Sequence, residues 1–131
     1  MRFILSTLLI FPVLFCVGCG KATDPNRTPV SGSVIFEGEA LRCGSIVFTS
    51  TEDAHRRATC MIRSDGTYSV ANAPKGKVII TVETASVSPK LGGPAEFYKE
   101  IPKEFGNVET SGLSLEVPPG GMKDYVITLK K

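Results

Sequence analysis

The sequence predicts an all-β fold, a seven-stranded antiparallel β-sandwich that forms one domain. Three observations predict it: short runs in which apolar and polar residues alternate, turn-forming residues between those runs, and hardly any segment with helical periodicity. The 131 residues suit a single folded domain. The net charge of +2 is too small to indicate a nucleic-acid-binding protein.

An apolar segment precedes the predicted domain. After Arg2, residues 3–17 are apolar apart from Ser6 and Thr7, and this run is shorter than the ~20 residues that a membrane-spanning helix needs. Pro12 would also kink a spanning helix. A basic start, a short apolar core and small residues after it predict a secretory signal peptide over residues 1–18.

The end of this segment, Val17-Gly18-Cys19, resembles the lipobox of bacterial lipoproteins, although Cys16 departs from the leucine that this pattern prefers. The resemblance implies that Cys19 becomes the first mature residue and carries several acyl chains that anchor the protein to a membrane. Gly20 replaces the aspartate that retains such proteins in the inner membrane, which implies an outer-membrane location. The alternative is an ordinary signal peptide in which the cysteines are bystanders.

Residues 19–28 are predicted to form the lipidated cysteine and a polar tether, and residues 29–131 the sandwich. Each predicted strand shows apolar and polar alternation or a β-prone run. The seven strands are predicted at residues 30–36, 44–50, 58–63, 67–71, 77–84, 113–117 and 125–129.

Residues 58–84 are predicted to form a meander around which the other strands assemble. Asp65-Gly66 supplies the positive φ angles of a two-residue hairpin turn. Pro74 and Gly76 favour a second tight turn, because proline presets one φ angle and glycine tolerates the other. The sequence does not determine the strand order.

Several segments together resemble the carboxypeptidase regulatory-like domain. This resemblance covers nearly the whole predicted mature chain and rests on residues 30–34 (VSGSV), 44–48 (GSIVF), 65–70 (DGTYSV), 73–82 (APKGKVIITV) and 101–105 (IPKEF). It implies a transthyretin-like, prealbumin-type Greek-key β-sandwich in a small envelope lipoprotein. In that family the domain is an accessory to the enzyme, and fold alone does not imply activity.

The sequence offers no combination of residues that predicts an enzyme. His55 is the only histidine and has no reactive partner at a suitable spacing. Glu52 and Asp53 beside it match no known metal-ligand spacing, and no glycine-rich phosphate loop opens a helix. We therefore expect a non-enzymatic protein without a metal or other cofactor.

Cys43 and Cys60 are not expected to form a disulfide. If the second and third strands pair with Ser50 opposite Ala58, Cys60 faces Phe48, and Cys43 lies five residues further along. That separation is roughly 17 Å, whereas a disulfide needs Cα atoms within about 7 Å. A different strand order would change this expectation.

Residues 85–110 form a long connection, a feature that in compact domains is often functional. Phe97, Tyr98, Ile101 and Phe105 place aromatic and apolar side chains among charges there, as interfaces do. The alternative is that these side chains fold back over the sandwich. A turn of helix is predicted at residues 96–99.

Two functions remain open at this point, and a third, a hydrolase subunit, ranks last because the sequence contains no catalytic set. The first is a membrane-anchored structural or protein-interaction module, whose protein partner is unknown. The second is a carrier for a small apolar ligand or a glycan, by analogy with the transthyretin-like fold. The charge pairs Arg56-Arg57 and Lys130-Lys131 are interpreted as a solvated loop and tail, although the tail could contact anionic lipid if it pointed toward the membrane.

Overall fold

A computed structural model describes residues 25–131, and these form an all-β fold of two sheets with one core between them. The predicted signal peptide and the lipidation site at Cys19 lie outside the described residues. The eight strands of the described part are β1 (Arg27–Phe36), β2 (Glu39–Ala40), β3 (Ser45–Ser50), β4 (Arg57–Met61), β5 (Thr67–Pro74), β6 (Gly76–Glu83), β7 (Leu113–Val117) and β8 (Met122–Leu129).

Sheet 1 has β1 at its centre. β8 runs parallel to β1 along one edge and ends with Leu129 opposite Phe36. β5 runs antiparallel along the other edge, with Pro74 opposite Arg27. The short β2 pairs with the last two residues of β1 on the side of β5, because β8 occupies the other side there.

Sheet 2 contains four antiparallel strands in the order β4-β3-β6-β7. Its two central strands, β3 and β6, pair from Ser45 opposite Glu83 to Ser50 opposite Val78. The alternation predicted for β6 is confirmed, because Val78, Ile80 and Val82 are all buried. Side chains from the two sheets meet in one hydrophobic cluster, and burying each large aliphatic side chain stabilises the fold by about 1.5–3 kcal/mol.

The predicted meander is wrong, because its three strands, β4, β5 and β6, alternate between the two sheets. β4 and β6 lie in sheet 2 and both pair with β3, whereas β5 lies in sheet 1 and pairs with β1. The turns on either side of β5 therefore cross from one sheet to the other. Period-2 alternation identifies the buried side of each strand but is the same for either sheet, so the local pattern could not show the crossing.

The turn at Asp65-Gly66 has a different geometry from the predicted two-residue hairpin. Only Gly66 has a positive φ, of 83°, and Asp65 does not. Gly66 donates its N–H to the Arg63 carbonyl at 2.9 Å, and Arg63 donates its N–H to the Thr67 carbonyl at 2.8 Å. This is a three-residue connection in which glycine occupies the left-handed position.

A two-residue hairpin turn with two positive φ angles occurs instead at Glu37-Gly38. Their φ angles are 51° and 83°, and the flanking residues Phe36 and Glu39 are paired. This turn leads into β2, which lies between the first two predicted strands and was not among the seven. It accounts for eight strands rather than seven.

Other boundaries differ by a few residues. β1 begins at Arg27, inside the segment predicted as a tether. Pro74 ends β5 and Gly76 begins β6 with a φ of 85°, so the predicted corner is present as a tight turn between sheets. The long connection contains three 3₁₀ turns, at Ala85–Val87, Pro89–Leu91 and Lys103–Gly106. The helical turn predicted at residues 96–99 is a single bonded turn, in which Tyr98 donates its N–H to the Ala95 carbonyl at 3.4 Å.

Candidate interaction site

The two ends of the sandwich differ, because the first strand, β1, begins at one of them. β1 starts at Arg27 and extends for ten residues, about 30 Å, to Phe36. We call the Arg27 end the entry end, and it also holds residues 51–57, 72–77 and 116–124. The opposite end, the far end, holds residues 36–44, 62–66, 83–106 and 130–131.

The long connection covers the far end, and part of it packs into the core. Ile101 is 7% exposed and belongs to the hydrophobic cluster, and Phe105 packs against that cluster. The side chains of Ile101 and Phe105 therefore fold back over the sandwich, which is the alternative that the sequence left open. Ile101 therefore positions the segment, whereas Phe105 is partly exposed and also lines a surface depression.

Phe97 and Tyr98 are both partly exposed. The guanidinium of Arg42 lies 3.7 Å from the centroid of the Phe97 ring, so an intramolecular cation–π contact covers this ring. Tyr98 lines two adjacent depressions and is partly exposed, so its ring is accessible to a partner.

Four depressions surround residues 98–105, with volumes of about 340, 190, 430 and 410 Å³ in order across the far end. Neighbouring depressions share lining residues and therefore adjoin one another, and we call the four together the far-end groove. Tyr98 and Glu100 line both of the first two, Ile101 and Pro102 line the second and third, and Pro102 and Lys131 line the third and fourth.

Glu83 supplies a fixed negative charge to this groove. Its carboxylate accepts hydrogen bonds from the hydroxyls of Ser45, at 2.8 Å, and Ser86, and from the Ser86 N–H at 3.0 Å. Burial raises the pKa of Glu83, but the hydrogen bonds from Ser86 and Ser45 outweigh it and hold the pKa below its ordinary value. Glu83 therefore remains charged at neutral pH.

Lys99 supplies a positive charge on the side of Ile101-Pro102 opposite to Glu83. Its Nζ lies 3.1 Å from Glu39 Oε2 and 5.2 Å from the centroid of the Phe36 ring. Lys130 and Lys131 line the same side of the groove. The groove therefore combines an apolar floor with charges of both signs, which suits a protein partner.

His55 is exposed in the surface loop between β3 and β4. Its backbone N–H donates to Asp53 Oδ1 at 3.0 Å, and Asp53 pairs with Arg56 at 3.7 Å. Within residues 25–131 no group of three histidine, cysteine, aspartate or glutamate side chains is arranged to hold a metal ion.

Cys43 and Cys60 are both free thiols. The register assumed for them was wrong by two residues, because Cys60 lies opposite Ile46 rather than opposite Phe48. Cys43 is then three residues beyond Ile46, so the two cysteines are still separated along the strand direction by about 10 Å.

The turn residues have structural roles in the described part. Asp65 Oδ1 accepts hydrogen bonds from the N–H and the hydroxyl of Thr67, and the side-chain bond is the main cause that lowers the pKa of Asp65. The Cβ direction of Gly76 is open, and its positive φ is the reason for glycine there.

Glu83, Lys99 and Glu100 line the groove but were not predicted as site residues from the sequence. Lys99 and Glu100 directly follow the predicted Tyr98, and charges beside an aromatic residue could have drawn attention to them. Nothing local marks Glu83, since it is the polar end of a strand whose hydroxyl partner Ser45 lies on a different strand.

Comparisons of the chain with family models, with curated proteins and with solved structures found no match. None of the helical segments in the part that the structure describes is long and apolar enough to cross a bilayer.

Proposed function

We propose that this protein is a non-enzymatic envelope lipoprotein, anchored by lipid on Cys19 in the outer membrane, whose sandwich binds a protein partner through the far-end groove. The sandwich is proposed to be a transthyretin-like Greek key of the carboxypeptidase regulatory-like kind. The proposal for the anchor rests on the resemblance of Val17-Gly18-Cys19 to a lipobox, and the proposal for the fold type rests on the turn and core motifs.

The observation that carries the proposal is that the chain enters the sandwich at the end opposite the groove. A lipid on Cys19 would hold the Arg27 end near the membrane, because the eight residue steps from Cys19 to Arg27 span at most about 29 Å. With β1 directed away from the membrane, its length would put the groove about 30 Å further out. Lys131 lines that distant groove, which argues against contact between the residue 130–131 tail and anionic lipid.

A carrier for a small apolar ligand or a glycan is the alternative function. It would be favoured by an enclosed apolar cavity. The depressions of the far-end groove open at the surface and are lined by several charged side chains, so they favour a protein partner over a small apolar ligand.

The anchor is tested by the intact mass of the protein extracted from its native membrane. We expect a chain that begins at residue 19 with added acyl chains, and Cys19→Ala should abolish this form. A mass without acyl chains in the unsubstituted protein would contradict the anchor.

The groove is tested by photo-crosslinking in cells. A photoreactive phenylalanine analogue at Tyr98 should give a discrete protein adduct, and the same analogue at exposed Ser69, on the outer face of sheet 1, is the matched control. The proposal predicts that excess free protein suppresses the Tyr98 adduct and that Glu100→Lys weakens it. Equal adducts from both positions, or none from Tyr98, would contradict the groove as the binding site.

A further inference from the structure

The described residues show a slightly uneven distribution of charge between the two ends of the sandwich. At the entry end, six lysines and arginines lie among five carboxylates. The cations are Arg27, Arg56, Arg57, Lys75, Lys77 and Lys123, and the carboxylates are Glu52, Asp53, Glu116, Asp124 and Glu109, which lines a depression together with Thr51 and Lys77. The remaining described residues contain seven lysines and arginines and seven carboxylates.

The entry-end charges are gathered by contacts between separate segments. The Arg27 guanidinium donates to the Asn72 carbonyl at 2.9 Å and to the Arg57 carbonyl at 3.4 Å. Lys75 donates its N–H to the Asn26 carbonyl at 2.9 Å. The first residues of β1, the start of β4 and the turn between β5 and β6 therefore form one surface.

The turn between β7 and β8 belongs to the same surface. Thr28 donates its hydroxyl to the Pro119 carbonyl at 3.4 Å, and a side chain at Gly121 would meet the Pro29 carbonyl at 2.5 Å. This close approach fixes the turn against β1. Lys123, two residues further along, is exposed beside it.

Several of these charges already have partners within the protein. Arg56 pairs with Asp53, and Lys77 lies opposite Glu116 in the register of β6 and β7. Arg57 and Lys123 are exposed and Lys75 is half-buried, and these three cations lie on three different segments of the entry end. Glu52, Glu109 and Asp124 are the exposed carboxylates that oppose them.

We propose that the entry end is a lipid-facing surface that rests on anionic phospholipid head groups. This inference depends on the proposed lipid anchor for its orientation, since the chain from Cys19 would arrive at this same end. Lysine and arginine side chains near an anionic membrane are attracted to it, and the attraction decreases as salt screens it. The anchor and the basic surface would then together hold the far-end groove away from the membrane.

The test uses the unlipidated mature chain, residues 20–131, which retains the whole described core. Its sedimentation with phosphatidylcholine vesicles is measured with and without phosphatidylglycerol at low salt. We expect binding only to the vesicles that contain phosphatidylglycerol, and loss of that binding as salt is added. Equal binding to both vesicles, or to neither, would overturn the proposal.

Two triple variants with the same change of net charge locate the surface. Arg57→Gln, Lys75→Gln and Lys123→Gln alter the entry end, whereas Lys103→Gln, Lys130→Gln and Lys131→Gln alter the far end. We expect the entry-end variant to lose about tenfold or more in vesicle affinity and the far-end variant to retain most of it. Equal losses would mean that only net charge matters, which overturns the proposal.

Circular dichroism checks that each variant is folded, and the double variant Lys75→Gln, Lys123→Gln replaces the entry-end triple if that one is not. Because the assayed protein carries no lipid, the result is independent of the mass measurement on Cys19. If the mass measurement shows lipid on Cys19 but residues 20–131 do not bind anionic vesicles, the anchor is supported and the lipid-facing surface is overturned.

Discussion

The hydroxyl of Tyr68 donates a hydrogen bond of 2.9 Å to the main-chain carbonyl of Tyr125. Tyr68 lies on β5 and Tyr125 on β8, the two strands on either side of β1, and both residues are opposite Gly32. Tyr68 is 1% exposed. The bond therefore joins the two outer strands of sheet 1 directly over a position where the central strand has no side chain.

Gly32→Ala should strongly destabilise the fold. A Cβ at this position would lie 1.8 Å from the Tyr125 carbonyl oxygen, so β1 and β8 would have to separate. We expect the free energy of unfolding, measured by urea denaturation, to fall by about 3 kcal/mol or more. Gly120→Ala is the control, because no atom lies within 4 Å of its Cβ position. Similar stabilities of the two variants would contradict the close approach.

Tyr68→Phe should remove the bond to Tyr125 while keeping the ring in the core. Loss of one buried hydrogen bond, with the carbonyl left without this donor, is expected to lower the free energy of unfolding by about 1–2 kcal/mol. Tyr98→Phe removes a hydroxyl from a partly exposed ring and is expected to change stability by less than about 0.5 kcal/mol. A Tyr68→Phe protein as stable as Tyr98→Phe would show that the bond contributes nothing.

The strands could be predicted from the sequence because local alternation determines them. Val78, Ile80 and Val82 had to share a face on any β-fold, and they are buried. The sheet to which each strand belongs depends on long-range pairing, such as that of Tyr68 with Gly32 across 36 positions. Turn chemistry at Asp65-Gly66 is compatible with a hairpin and with a crossing between sheets, so it could not decide between them.

The candidate site was predictable only as a region. The long connection with its aromatic residues does cover one end of the sandwich, but the sequence could not separate Ile101, whose side chain is buried, from Tyr98, whose side chain is partly exposed. Apolar side chains in a loop have the same pattern whether they contact a partner or the core. The far-end location of the groove depends on the parallel pairing of β1 with β8, which no local signal indicates.

Glu83→Gln should destabilise the protein in a pH-dependent manner. The folded-state pKa of Glu83 is below its ordinary value, so the charged carboxylate contributes stability above the unfolded-state pKa, and this contribution is lost as pH falls through the folded-state pKa. We expect the variant to be less stable than the unsubstituted protein at pH 7 and the difference to shrink in acid. Glu109→Gln, at an exposed loop position, is the control. A difference that is constant with pH would contradict the role of the charge.

Cys60 should react slowly with thiol reagents in the folded protein. Burial raises the pKa of its thiol to about 11, although Arg63 partly opposes this shift. The reactive thiolate is then about a hundredfold rarer at pH 8 than for a thiol at its ordinary value. Mass spectrometry of iodoacetamide adducts on a Cys43→Ser variant should show slow alkylation of Cys60 in the native state and fast alkylation in guanidinium. Because the folded state holds this proton more tightly, stability should also decline between about pH 9 and 11, where the unfolded thiol ionises first. Equal alkylation rates in the folded and unfolded protein would mean that the Cys60 thiol is not shielded by the fold.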